Sequence, residues 1–175
     1  MKKYIECPFP RLFPSQLEKD DNFYMQLAYN ESISAWEQDE VPIGAVIVDK
    51  QGEVIASAYN QTRKCNDPTA HAEMLAITMA TQKIGDWRMN ECKMYVTKEP
   101  CPMCAGAAVV GRLKEVYYAY KDPKMGGLGG AISLHELPQS NHKPIVNIGV
   151  MEKECLQMMQ TFFQLRRIKQ KYKRT

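Results

Sequence analysis

Five short apolar segments, each set off by a turn or by a helix-length stretch, leave this chain few ways to fold. "IGAVIV" and "EVIASAY" flank a "DKQG" turn, a connection so short that the two strands pair antiparallel. "CKMYVT", "EVYYAY" and "PIVNIGV" follow at wider intervals. Helical patterns fill the gaps. Asp20 or Asp21 can cap a first helix that carries Phe23, Leu27, Ala28 and Trp36 on one face and ends at Pro42, because the residue before a proline is pushed out of the helical region. A second runs from Ala70 to about Lys83, with Met74, Leu75, Ile77, Thr78 and Met79 as its buried side and Gly85 as its stop. "CPMCAGAAVVG" is a small-residue helix ended by Gly111, and "EKECLQMMQTFFQLRRIKQK" a long amphipathic one. "NQTRKCNDPT" and "KDPKMGGLGG" are rich in turn formers and read as loops. Strands alternating with helices predict a layered α/β domain.

The chain has 175 residues, enough for one domain with a real core. Residues 1–20, broken by Pro8, Pro10 and Pro14, are expected to form an N-terminal arm, and residues 21–175 a single domain. No apolar run approaches the roughly 20 residues that span a bilayer, and the start lacks the apolar segment of a secretory signal. A cytoplasmic location with reduced thiols is therefore expected for the six cysteines. Net charge is only +3, yet the last ten residues, "RRIKQKYKRT", hold six basic side chains and no acidic one. Such an end is either a solvated helix terminus or a docking site for an anion.

Two fragments carry the chemistry. "PTAHAEM" places His71 and Glu73 at a helix start, and "EPCPMCAGA" places Cys101 and Cys104 at another. Helix starts that follow strand ends meet at one edge of an α/β sheet. Cys101 and Cys104, three apart, share a face of the first helical turn, where the helix dipole favours thiolates. Pro102 costs little there, since the N–H it removes has no partner in a first turn. Two thiolates and one imidazole suit Zn²⁺. A structural zinc takes four protein ligands and this pattern supplies three, which leaves a position for water. Glu73 is then the proton carrier rather than a ligand. On an ideal helix residues two apart point about 200° away from each other, so His71 and Glu73 must both reach around the helix end. Against this stand a thioredoxin-like CxxC, and a structural site completed by Cys65, Cys92, His135 or His142.

At these residues the sequence resembles the zinc-dependent cytidine and deoxycytidylate deaminase superfamily. Within it the likeness is greatest to the tRNA-specific adenosine deaminases, from about Asp21 to Lys171, on "EVPIGAVIV", "NDPTAHAEM", "YVTKEPCPMCAGA", "KDPKMGGLGG", "NHKP" and "FFQLRR". The final glycine of "GGLGG" departs from the serine usual there.

The resemblance implies a three-layer α/β/α fold with a mixed five-stranded sheet, one Zn²⁺ per subunit on His71, Cys101 and Cys104, and Glu73 as the catalytic acid–base. It implies that Asn60 holds the base, that the backbone of Ala72 and Pro100 lines the pocket, and that Val41, Pro42 and Ile43 wall it. Asp122, Lys124 and Met125 would meet the flanking nucleotides or the ribose, and Phe162, Phe163, Arg166 and Arg167 the RNA beyond. The implied reaction is hydrolytic deamination of adenosine to inosine at the wobble position of a tRNA anticodon stem-loop, by a homodimer. A guanine or cytosine deaminase of a free base or nucleotide, and a non-catalytic zinc-stabilised RNA-binding module, are the alternatives. The helix "AGAAVVG" suits either a dimer face or the core.

Overall fold

The computed structural model describes residues 5–172. Its elements are α1 (Asp21–Glu37), β1 (Gly44–Val48), β2 (Val54–Tyr59), α2 (Thr62–Cys65), α3 (Ala72–Ile84), β3 (Lys93–Val96), α4 (Pro102–Val110), β4 (Glu115–Tyr118), β5 (Ile145–Ile148) and α5 (Glu152–Tyr172). A turn of 3₁₀ helix spans Leu134–Glu136. The sheet order is β2-β1-β3-β4-β5. β1 is antiparallel to both β2 and β3, whereas β3, β4 and β5 run parallel. This is the expected mixed sheet: a hairpin joined to two strands whose returns pass through helices.

Alternation along the strands makes the three layers. Val46 and Val48 face one way, with Tyr95 and Tyr117, and meet α1 and α5. Ala45 and Ile47 face the other way, with Met94, Val96, Val116 and Tyr118, and meet α3 and α4. The face of α3 against the sheet is Ala72, Ala76 and Ala80, not the larger residues the sequence suggests; Met79 is 46% exposed. Small residues let this helix come close to the strands, and Gly44 does the same for α1, since a Cβ there would land on the Ala28 carbonyl.

α1 begins at Asp20, whose carboxylate accepts from the Phe23 amide (2.8 Å). Residues 5–20 carry no helix or strand, but the arm is seated on α1. The Trp36 indole donates to the Ile5 carbonyl (2.9 Å), the Phe9 ring meets Trp36 edge-on, and Asn30 exchanges two hydrogen bonds with the backbone of Leu12. Trp36 in turn packs edge-on against Phe162 of α5, with ring centroids 5.0 Å apart.

"TRKC", expected as loop, forms α2. It has no cap of its own. Glu40, buried at the end of the first helix's turn, supplies one: its carboxylate accepts from the Arg63 and Lys64 amides and the Thr62 hydroxyl. Next to it Asp39 pairs with both Arg63 and Arg166, tying α2 to α5. Burial alone would raise the Asp39 carboxyl, but the two guanidiniums outweigh it and hold it below the usual value of 3.8. The stability this contributes is present above 3.8 and is lost as pH falls through the lowered folded value. We expect Asp39→Asn to cost about 1 kcal/mol at pH 7, a melting-temperature drop of about 2–4 °C. In thermal melts the gap to wild type narrows below pH 3.8; a gap that is constant with pH excludes the ion pairs as its source.

Candidate active site

His71 and Cys101 hold equivalent places: each is the N-cap residue of its helix, with extended backbone and no side-chain capping bond. The helix therefore starts at Ala72, two residues later than expected. The cause is the Asp67 carboxylate, which accepts from the Thr69 amide and hydroxyl and keeps the approach to the helix in a turn. Because His71 precedes the helix, the 200° problem of two helical side chains does not arise. Its imidazole points out from the helix end, while Glu73 is buried within the first turn.

The two helix ends converge. His71 Nδ1 lies 3.7 Å from Cys101 Sγ and 3.5 Å from Cys104 Sγ, and the two sulfurs are 3.7 Å apart. Tetrahedral zinc, with Zn–S near 2.3 Å and Zn–N near 2.0–2.1 Å, separates sulfur pairs by about 3.8 Å and sulfur–nitrogen pairs by about 3.6 Å. The donor set and its spacing therefore fit zinc with three protein ligands. Among the described residues this is the one His/Cys/Asp/Glu group able to hold a metal. Cys65, Cys92, His135 and His142 do not join it: the His142 ring, for example, is hydrogen-bonded to the Leu113 carbonyl (2.6 Å). All six cysteines are unpaired.

The two thiols act on each other and shift in opposite directions. The Cys104 thiol and then His71 lower the Cys101 thiol, while the neighbouring Cys101 sulfur and burial raise Cys104. Metal binding requires both as thiolates. Burial raises the Glu73 carboxyl.

Glu73 Oε2 and Asn60 Oδ1 are buried acceptors without a partner, as are Tyr120 Oη and His135 Nδ1. Buried polar atoms are normally satisfied, and Glu73 lies two residues from His71. Asn60 is fixed at the end of β2 by its amide, which donates to the Ile43 carbonyl (3.0 Å) and so links it to the Val41–Pro42–Ile43 segment. Ala72 and Pro100 are buried where the metal-ligating helices begin.

Asp122, Lys124 and Met125 lie on the loop after β4. Asp122 pairs with Lys98, and its other carboxylate oxygen accepts from the Lys124 and Met125 amides. The loop is fastened to the segment that carries Cys101 and Cys104 by Gly127 N–H donating to the Pro100 carbonyl (2.8 Å). Lys98, Glu99 and Glu40 are structurally central yet escape a reading by motif. Glu99 offers one signal, an acidic residue in the short link from a buried strand to a helix, directly before Pro100 and Cys101.

On α5 the outcome is split. Phe162 is 1% exposed and belongs to the core, so it is not available to stack on RNA. Adjacent helical residues cannot both face inward, and Phe163 is 43% exposed. Arg166 is engaged by Asp39 and lies over the Phe162 ring, whereas Arg167 is exposed. Lys173 and Arg174 of the basic tail lie outside the described residues.

The deaminase family described as MafB19-like matches residues 19–167. This chain belongs to that family. The deaminase is 44% identical over 151 residues to the tRNA-specific adenosine deaminase of Bacillus subtilis, covering 86% of this chain and 93% of that protein. It is 43% identical over 145 residues to the enzyme of the same name from Agrobacterium fabrum, covering 83% and 95%. A solved structure from work on A-to-I editing by tRNA:A34 deaminases at the wobble position of transfer RNA superposes with a TM-score of 0.74 at 44% identity, over 77% of this chain and 97% of that one. The guanine deaminase of Bacillus subtilis is further away, at 29% identity and a TM-score of 0.53 over 81% and 92%. The α/β/α fold and the deaminase class expected from the sequence both hold.

Proposed function

We infer that this deaminase hydrolyses the adenosine at the wobble position of a tRNA anticodon to inosine and ammonia. The observation that carries the reading is the pairing of a three-donor zinc site with two buried, unpartnered acceptors, in a chain 44% identical to a tRNA:A34 deaminase.

His71, Cys101 and Cys104 would hold a zinc ion, which when bound would lower the pKa of a water and so supply the nucleophile. Glu73, through its unpartnered Oε2, would take a proton from the attacking water and deliver it to the purine ring nitrogen. It carries the second proton to the departing amine, so that water is consumed and ammonia leaves. Asn60 holds the base edge through its free Oδ1, and Val41, Pro42 and Ile43 exclude water from the base. The backbone at Ala72 and Pro100 closes the pocket. A single-stranded loop base can be splayed into such a pocket cheaply, whereas a paired one cannot. Asp122, Lys124 and Met125 at the mouth contact the flanking nucleotides. Phe163 and Arg167 extend the surface toward phosphates.

The chain acts as a homodimer in the cytoplasm, where its RNA substrate is found. Support for the dimer comes from α4: Ala105 and Ala108 face the core, but Val110 is 71% exposed, alongside exposed Trp87 and Ile84. No helix among the described residues is long and apolar enough to cross a membrane.

The deciding assay incubates the purified protein with an anticodon stem-loop carrying a wobble adenosine. Inosine should appear there and no product from the cytidine stem-loop or free guanine. Turnover of guanine without reaction on the stem-loop would overturn the assignment in favour of a free-base deaminase.

A further inference from the structure

We propose that Glu99 is a positioning residue for RNA: its buried carboxylate holds the 122–130 loop in the shape that presents Asp122, Lys124 and Met125 to the nucleotides beside the target base. The proposal rests on the functional reading above. Glu99 is 1% exposed, one residue before Pro100 and two before the Cys101 ligand. A buried carboxylate is expensive unless its lone pairs are used, and here they are used on one loop alone. Oε2 accepts from the Asp122 amide (2.7 Å); Oε1 accepts from the Leu128 (2.9 Å) and Gly130 (2.8 Å) amides. The Glu99 amide itself donates to the Tyr120 carbonyl (3.0 Å) at the loop's entry.

The loop is shaped around this group. A Cβ added at either Gly126 or Gly130 would land on the Glu99 carboxylate, so these two glycines are required by close approach. Because Asp122 is held at its backbone by Glu99 and at its side chain by Lys98, the residue facing the RNA has little freedom of its own. Preorganisation of this kind lowers the cost of binding without touching the reacting atoms. It therefore appears in KM rather than in kcat.

The two carboxylate oxygens do different work, and glutamine separates them. A Glu99→Gln side chain keeps two bonds when its oxygen faces Leu128 and Gly130. Its NH₂ then confronts the Asp122 N–H, donor against donor. Expected results are an amide-exchange rate at Asp122 raised about tenfold by the lost hydrogen bond, with Leu128 and Gly130 still protected. KM for the stem-loop should rise about tenfold, with kcat within twofold and zinc content unchanged. Gly130→Ala, which leaves the carboxylate in place and pushes the loop off it, should give the same KM shift.

A fall in kcat at constant KM, loss of zinc, or uniform loss of protection across the protein overturns the proposal, because each assigns Glu99 to the metal ligands or to global stability. If wild type leaves the stem-loop unreacted, the functional reading fails by itself. The exchange rates at Asp122, Leu128 and Gly130 still decide whether Glu99 holds the loop.

Discussion

Glu73→Gln removes deamination, lowering kcat by about 10³–10⁴, while zinc content and melting temperature stay near those of wild type. Glutamine fills the same buried space at the start of α3 and keeps an oxygen, so packing against the Ala72–Ala76–Ala80 layer is undisturbed. What it lacks is a group that can accept and return a proton. Glu73 Oε2 is a buried acceptor with no partner within the chain, free to meet the attacking water of the proposed reaction. Burial raises its carboxyl above the usual carboxylate value. In the proposed mechanism both proton transfers pass through this one residue, which is why the loss should sit at the upper end for an acid–base group. Stem-loop kinetics with metal analysis on the same sample make the check. Loss of zinc in Glu73→Gln would make Glu73 a ligand, and full activity would remove it from the mechanism.

The parts that were legible in the sequence are those encoded locally. Five apolar segments marked the five strands, Asp20 or Asp21 marked the start of α1, and the HxE and CxxC spacings picked out three donor side chains that the fold brings together. What escaped is held by long-range contacts. α2 has no hydrophobic period in its four residues; it exists because Glu40, more than twenty residues upstream, caps it. Glu99 looks like a polar interruption until the 122–130 loop, far along the chain, closes on it. The start of α3 moved because a turn at Asp67 competes with helix formation, and its buried face proved to be alanine because proximity to the sheet favours small residues there. On α5, periodicity says that one of Phe162 and Phe163 is buried but not which. Trp36, at the far end of α1, decides it by packing on Phe162.

Cys104→Ser abolishes activity in metal-limited buffer and lowers zinc affinity by about 10²–10³, roughly one ligand's share of a binding free energy of about 10–16 kcal/mol for a four-ligand site. The substitution is nearly isosteric at a position that is fully buried, so the fold has no packing reason to fail. It does have a chemical one to lose the metal, because serine at neutral pH keeps its proton and is a poor match for a site built of thiolate and imidazole. His71→Ala and Cys101→Ser should give the same loss, since the three donor atoms sit at mutual distances of 3.5–3.7 Å and none can be replaced by a neighbour. Cys92→Ser, at a buried position outside the trio, is the control: it disturbs the core on the α3–α4 side of the sheet and leaves zinc stoichiometry alone. Metal content by mass spectrometry, with stem-loop turnover before and after dialysis against chelator and readdition of zinc, separates these cases. Zinc retained by Cys104→Ser, or lost by Cys92→Ser, would mean that the metal sits elsewhere than between the two helix ends. Full return of wild-type activity on readdition, with none for Cys104→Ser, fixes the metal and its chemistry at the place where α3 and α4 begin.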